Sequence, residues 1–394
     1  MKNRWVLTTK YHIDDTVERE KARLVVKGFT QVYGADYDKT YAPVSSYVTL
    51  RIFLSIVAIL DLNLMQLDMK NAFLQSKLDR SPLLWYRALE GVLLGAGWKK
   101  SQVDTSLYFK VGDDKVTCWV LVYVGDLLAA SSIVAMLKEL LKAAFELQEI
   151  SPVQKYLGLE IVRDRLVRKL WLHQQGYTDK LRRRFLDEEQ NGRTPKTPRE
   201  VDRCLAYLAN TRDTALEFGG GAKSLKLVGY VDADDAGDKQ NRTSTGGYVF
   251  VFGGAAISWS SLRIKCATLS STESEYVAAT EVGKEGRRLR FLLAEFRQMD
   301  AGTSTVLRVD NKLAITVAEG MGLTGNLKHI ERRQAWLQHM VKRGKFSLRY
   351  IPTAEQPTDF LTKALHYPAF NRCSVAIGHV RLVDVGDGDN DVQQ

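Results

Sequence analysis

Between residues 225 and 366 four acidic residues each fall where one expected element ends or the next begins. Asp232 closes the strand-like run Leu227-Val-Gly-Tyr-Val231, and Glu275 opens a long helical stretch in Ser271-Thr-Glu-Ser-Glu-Tyr276. Asp310 closes Val306-Leu-Arg-Val309, and Asp359 opens a last helix in Gln356-Pro-Thr-Asp-Phe-Leu361. Strand ends and helix starts can share one edge of a sheet, so this order predicts that the four acids meet there. Such a cluster of hard oxygen ligands suits two Mg²⁺ ions, with Mn²⁺ as a substitute, the arrangement that cleaves phosphodiesters by in-line displacement.

The flanking pattern agrees with a mixed sheet. Strands are expected over Leu225–Val231, Gly247–Phe252 and Ala256–Ser260, then a long helix from Thr272 to about Arg297 with Tyr276, Ala279, Leu289, Leu293 and Phe296 near one face. A strand Thr305–Val309, helices Lys312–Glu319 and Ile330–Val341, a strand Phe346–Ile351 and a helix Thr358–Leu365 complete the run. Each acid also has an innocent explanation. Asp232 opens an acidic turn, Glu275 and Glu273 stand at capping-box spacing after Thr272 and Ser270, Asp310 can cap a helix, and Asp359 suits a first helical turn.

Upstream, the pattern predicts an amphipathic helix Tyr47–Leu60 and a strand Leu64–Asp68, then two β-rich runs from Val116 to Ala130 that flank Gly125-Asp126. That dipeptide suits a tight hairpin, with glycine taking the positive φ. A helix Val134–Phe145 and strands around Tyr156–Val162 and Lys169–His173 follow. The stretch 186–224, with Gly192, Pro195 and Pro198, reads as a connection, and residues 367–394 read as a partly disordered tail.

The chain of 394 residues carries a net charge of +10, which favours a polyanionic partner, most simply nucleic acid. Basic runs recur at Arg163–Lys169, Arg182-Arg-Arg184, Arg287-Arg-Leu-Arg290, Arg332-Arg333 and Lys342-Arg-Gly-Lys345; taken singly, each is also what a solvated helix face looks like. Four dispersed cysteines, Cys118, Cys204, Cys266 and Cys373, argue against a zinc site or disulfide framework. No signal peptide is evident, and the most apolar segment, Ile52–Leu60, falls short of the roughly 20 residues a membrane span needs. An intracellular location without membrane contact is the expectation, in cytoplasm or nucleus.

The C-terminal part resembles the RNase H domain of copia-type LTR retrotransposon Pol polyproteins. The resemblance rests on Gly229-Tyr-Val-Asp232, Arg242-Thr-Ser-Thr-Gly-Gly-Tyr248, Ile257-Ser-Trp-Ser-Ser261, Leu269-Ser-Ser-Thr-Glu-Ser-Glu275, Val309-Asp-Asn311, Lys328-His-Ile330 and Tyr350–Lys363. It implies that Asp232, Glu275, Asp310 and Asp359 are catalytic metal ligands and that an RNA–DNA hybrid is the substrate. His329 is expected to be a buried interhelical residue, and Asp235 stands where the family usually has Trp.

Residues 1–185 resemble the reverse transcriptase of the same polyproteins, through Lys21–Gln31, Tyr37–Val44, Met65-Gln-Leu-Asp68-Met-Lys-Asn-Ala-Phe73, Trp85-Tyr86, Asp104–Tyr108 and Leu121-Val-Tyr-Val-Gly-Asp-Leu-Leu128. Asp68 aligns with the first palm ligand. The hairpin should read Tyr-Val-Asp-Asp, but Gly125 replaces its first Asp, leaving Asp68 and Asp126 as a degenerate polymerase site. The chain also skips family segments after Asp79-Arg80 and after Pro198, and the expectation is that no protease or integrase part precedes Lys2. The resulting expectation is an α/β (α+β) chain: a truncated right-hand polymerase fingers and palm, a remnant connection, then an RNase H-like mixed-sheet domain. Its expected function is RNase H-type cleavage with reverse transcription lost; the alternative is a non-catalytic nucleic-acid-binding remnant.

Overall fold

The computed structural model describes residues 3–11, 16–26, 45–70, 82–112, 117–131, 134–185, 199–220, 225–235, 243–264, 270–300, 302–320 and 331–382. His329, Cys266, the junction after Asp79-Arg80, the Pro195/Pro198 stretch and the tail beyond Leu382 lie outside these residues. The fold is mixed α/β, built on three larger sheets and one separate hairpin, Asn3–Tyr11 with Val17–Val26.

The first large sheet is antiparallel, in the order Lys99–Lys100, Leu107–Val111, Thr117–Tyr123, Asp126–Ser131, Asn63–Met69, Leu147–Ile150. Alternation sends Val120, Val122, Leu127 and Ala129 to one face, where they pack with Trp85, Leu89, Leu137 and Leu141 of the helices Pro82–Gly95 and Ala135–Ala144. Trp119, Leu121, Leu128 and Ala130 face the other way and join a second, larger core. Coverage on both faces explains why Cys118–Val122 is an unbroken apolar run.

That larger core is shared by both halves of the chain. The helix Tyr47–Ile59, expected to be amphipathic, is buried nearly all round, including Leu50, Ile52, Phe53, Leu54, Ile56, Val57 and Ala58. It is therefore an interior helix, and it packs against the middle and C-terminal sheets. Phe296, at the end of the long helix, meets Phe53 and Trp119 with ring centroids 6.5 and 5.9 Å away. Gln102 N–H donates to Glu295 Oε1 at 2.7 Å, and Ser101 Oγ donates to Glu295 Oε2. Each such buried aromatic contributes about 1.5–3 kcal/mol.

The middle sheet corrects two readings. Within the stretch taken as a connection, Arg199–Asn210 is a helix and Thr214–Gly219 a strand, and within the stretch taken as a tail, Tyr367–Ala376 is a helix and His379–Arg381 a strand. The two strands pair, giving the order His379–Arg381, Thr214–Gly219, Lys169–His173, Leu159–Asp164, Lys155–Tyr156. Short strands bearing Glu217 and Arg381 give little alternation, and their stability comes from pairing distant segments, which local pattern does not encode.

The C-terminal sheet has the order Ala255–Arg263, Thr245–Phe252, Val228–Asp234, Thr305–Val309, Phe346–Tyr350. Its first three strands are antiparallel and the last two run parallel to Val228–Asp234. The long helix Ser271–Glu295 lies across it, burying Tyr276, Ala279, Val282, Leu289 and Leu293. The parallel strands Val228–Asp234 and Thr305–Val309 end at the same edge, which is where Asp232 and Asp310 stand.

Candidate active site

Asp232, Glu275 and Asp310 converge, each offering an oxygen within 4.8 Å of the others. The helix start separates capping from chemistry. Ser270 is the N-cap and accepts from the Glu273 N–H, so Glu273 holds the capping-box position and Glu275, half a turn on, is left to face the strands. Likewise Asn311, not Asp310, caps the helix Lys312–Ala318, accepting from the Ala314 N–H at 3.1 Å. The innocent roles belong to neighbours of the two acids.

Glu275 is 5% exposed. Its Oε1 accepts from the Ala233 N–H at 3.2 Å, while its Oε2 is buried without a partner. Burial first, then Asp310 and Asp232, pushes its carboxyl up to about 9. Three carboxylates this close repel each other, and a cation among them relieves that cost. An orphaned buried oxygen beside an all-carboxylate donor set fits Mg²⁺ or Mn²⁺, both of which prefer hard oxygen ligands.

Asp359 stands outside the group of three and is tied to it through Lys363. The Lys363 ammonium lies 3.0 Å from Asp359 Oδ1 and 3.3 Å from Asp232 Oδ2. Burial works against the charge of Lys363, but Asp232 and Asp359 outweigh it and hold the ammonium above its usual range. Burial, with Asp232 and Asp310, pushes the Asp359 carboxyl up despite its bond to Lys363. Thr362 Oγ1 donates to Asp232 Oδ2, and Thr353 Oγ1 donates to Asp310 Oδ2 at 3.0 Å.

Gly247 permits this arrangement. It pairs with Asp232 across the sheet, and a Cβ there would meet Thr362 Cγ2 at 2.9 Å and Leu361 Cβ at 3.0 Å. The short helix Asp359–Thr362 can therefore close over the strand and bring Thr362 and Lys363 to Asp232. Sequence reading missed Lys363, Thr362 and Thr353. The spacing of Asp359 and Lys363, four apart on one helix face, was the available signal for the first of them. Asp235 accepts from Ser244 Oγ at 2.9 Å and Ser274 Oγ at 2.6 Å, so it ties the first strand to the start of the long helix.

The second acidic site is sparser. Asp68 and Asp126 stand directly opposite on adjacent strands, and burial followed by Asp68 pushes the Asp126 carboxyl up. Among the described residues no third metal-binding side chain converges with them. The hairpin turn corrects the expectation for Gly125. Tyr123 pairs with Asp126, and the positive φ, 54°, belongs to Val124, the first of the two turn residues. A two-residue turn with positive φ only at its first central position is of the II′ kind, so glycine arrives one place late. The strained valine is braced by the Trp85 Nε1–H donating to its carbonyl at 2.8 Å.

Residues 1–81 and 77–198 match the family described as "Reverse transcriptase (RNA-dependent DNA polymerase)". The chain is 31% identical to the "Retrovirus-related Pol polyprotein from transposon TNT 1-94" of Nicotiana tabacum over 474 residues, covering 96% of this chain and 35% of the relative. It is 29% identical to the corresponding polyprotein from transposon RE2 of Arabidopsis thaliana, covering 96% of this chain and 32% of the relative. The chain thus spans about a third of the length of these curated relatives. An alignment longer than the chain itself means that the tobacco relative carries residues with no counterpart here. Among solved structures, the RNase H domain of rv2228c from Mycobacterium tuberculosis is 16% identical, with a TM-score of 0.28, covering 39% of this chain and 99% of that one. A foamy viral protease-reverse transcriptase in complex with dsDNA is 12% identical, with a TM-score of 0.46, covering 88% of this chain and 77% of that one.

Proposed function

The chain belongs to the reverse transcriptase (RNA-dependent DNA polymerase) family, and we propose that its working centre is the RNase H-like one. In this reading it is an endonuclease that cuts the RNA strand of an RNA–DNA hybrid, joined to a polymerase remnant that no longer extends primers. The observation that carries it is the convergence of Asp232, Glu275 and Asp310, with a buried Glu275 oxygen left unpaired. Asp232, Glu275, Asp310 and Asp359 would hold divalent metal, which supplies activation of water and neutralisation of charge on the scissile phosphate.

The chain's own residues then have distinct tasks. Asp232 and Asp310 fix the cluster at two strand ends, and Thr362 and Thr353 orient their carboxylates. Glu275 contributes a buried oxygen with no hydrogen-bond partner, which gains from a cation. Lys363 offsets the acids' repulsion on the side where Asp359 stands. The +10 charge supports binding to the phosphate backbone. At the palm-like hairpin, two carboxylates give too few ligands to position two ions, a primer end and a nucleotide.

The test is cleavage of end-labelled RNA in a hybrid by the purified full chain with Mg²⁺, against an EDTA control. Mg²⁺-dependent RNA cuts with the DNA strand intact are expected. A folded protein that binds the hybrid without cutting it would instead establish the binding-remnant alternative.

A further inference from the structure

Two basic runs that the catalytic reading leaves unused, Arg287-Arg-Leu-Arg290 and Lys342-Arg-Gly-Lys345, meet in the fold. They border a cavity of about 450 Å³ between the C-terminal half of the long helix and the helix Glu331–Lys342, lined by Arg287, Arg290, Phe291, Trp336, Arg343 and Lys345 among others. Asp300 is the one carboxylate in that lining. Arg290 is only 8% exposed; it donates to Thr305 Oγ1 at 2.9 Å and lies over the Phe346 ring. Burial pushes its pKa down. Arg287 covers the ring of Phe291, which is itself 54% exposed.

A solvated helix face does not explain this group. Complementing a helix C-terminus accounts for cations in its last turn, but Arg287 and Arg290 precede the final turn of the long helix. Among the described residues no carboxylate is paired with Arg290, and a guanidinium mostly withdrawn from water is costly unless an anion completes it. Cations interleaved with an exposed Phe and a half-buried Trp are the combination that grips a phosphate and stacks an unpaired base.

We propose that this cavity is a second nucleic-acid site, which takes one nucleotide of a single strand. The phosphate lies among Arg287, Arg290 and Arg343, and the base against Phe291 and Trp336. Glu275 and Phe291 are about 24 Å apart along the helix at 1.5 Å per residue, so the site engages a different phosphate from the one at the acids. It suits a single-stranded extension of a hybrid. It does not depend on whether the acids bind metal.

The test is fluorescence anisotropy of a labelled short oligothymidylate with the full chain in EDTA. The double variant Arg287→Ser/Arg343→Ser, at two exposed side chains, should bind about tenfold more weakly at low salt. Its slope of log K against log[salt] should shrink by about 1.4, for two lost contacts at about 0.7 each on a single strand. Phe291→Ala should weaken binding about tenfold with the slope unchanged. Asp310→Asn should leave binding as it is, so failure of the cleavage reading would not imitate failure here. Unaltered affinity and slope in the double variant would overturn the proposal. So would an equal loss from Arg182→Ser/Arg184→Ser, which would reduce the effect to diffuse basic surface.

Discussion

Asp68 and Asp126 come from adjacent strands of one sheet, whereas Asp232, Glu275 and Asp310 come from two strands and a helix. The difference sets how each site bears the loss of a residue. On one antiparallel pair, strand register supplies two facing carboxylates and a third has to come from the turn, where Gly125 has none. In the C-terminal site each acid is anchored by its own element, with a separate residue doing the capping beside Glu275 and Asp310. Lys363 adds a cation that makes a dense cluster tolerable without metal. The hairpin at Tyr123–Asp126 forms with a valine at positive φ and sets only Asp126 opposite Asp68.

The comparison breaks most sharply at Asp310. Asp310→Asn should lower hybrid cleavage by roughly 10³-fold, the scale of losing one electrostatic anchor of a transition state, with hybrid binding nearly unchanged. Parallel loss of binding, measured by anisotropy, would mean a folding defect instead. Gly247→Ala should force the helix Asp359–Thr362 away from Asp232, costing about 1–3 kcal/mol in denaturant unfolding and a larger fraction of cleavage than of binding. A neutral effect there would remove the close approach from the account.

Lys363→Met sharpens the contrast from the other side. Without its ammonium the acids repel unopposed, so the melting temperature in EDTA should fall. The Mg²⁺ concentration giving half-maximal stabilisation should also fall, by about tenfold, within reach of a unit charge at salt-bridge distance. Lys363→Arg should keep the original midpoint, and an unmoved midpoint in Lys363→Met would deny Lys363 this role. The smallest effect belongs to the hairpin. Val124→Gly should stabilise the chain by about 1 kcal/mol, strain relief exceeding the added chain entropy, and no gain would show that Val124 is not strained.

Where sequence and structure agree, the determinants are local. The long helix, the paired strand ends and the hairpin at Tyr123–Asp126 follow from apolar spacing that each segment carries itself. Spacing and family resemblance pointed to Asp232, Glu275, Asp310 and Asp359, but only the fold shows that Ser270 and Asn311 do the capping and that Asp359 stands outside the group of three. What was illegible depends on partners far away in the chain. Thr214–Gly219 becomes a strand because Lys169–His173 and His379–Arg381 flank it. The helix Tyr47–Ile59 is buried nearly all round because elements from both halves cover it. The turn conformation escaped notice because a glycine in a turn invites the positive φ, and only backbone pairing reveals which residue takes it.

The central claim is that one acidic site works and the other does not, and a paired assay on one preparation of the full chain tests it. Hybrid cleavage and primer extension are measured with Mg²⁺, for the unmodified chain and for Gly125→Asp. The account predicts hybrid cleavage by both proteins and extension by neither, because restoring one carboxylate does not restore the residues that the tobacco relative carries and this chain lacks. Primer extension by the unmodified chain, or hybrid left uncut under the same conditions, would contradict it.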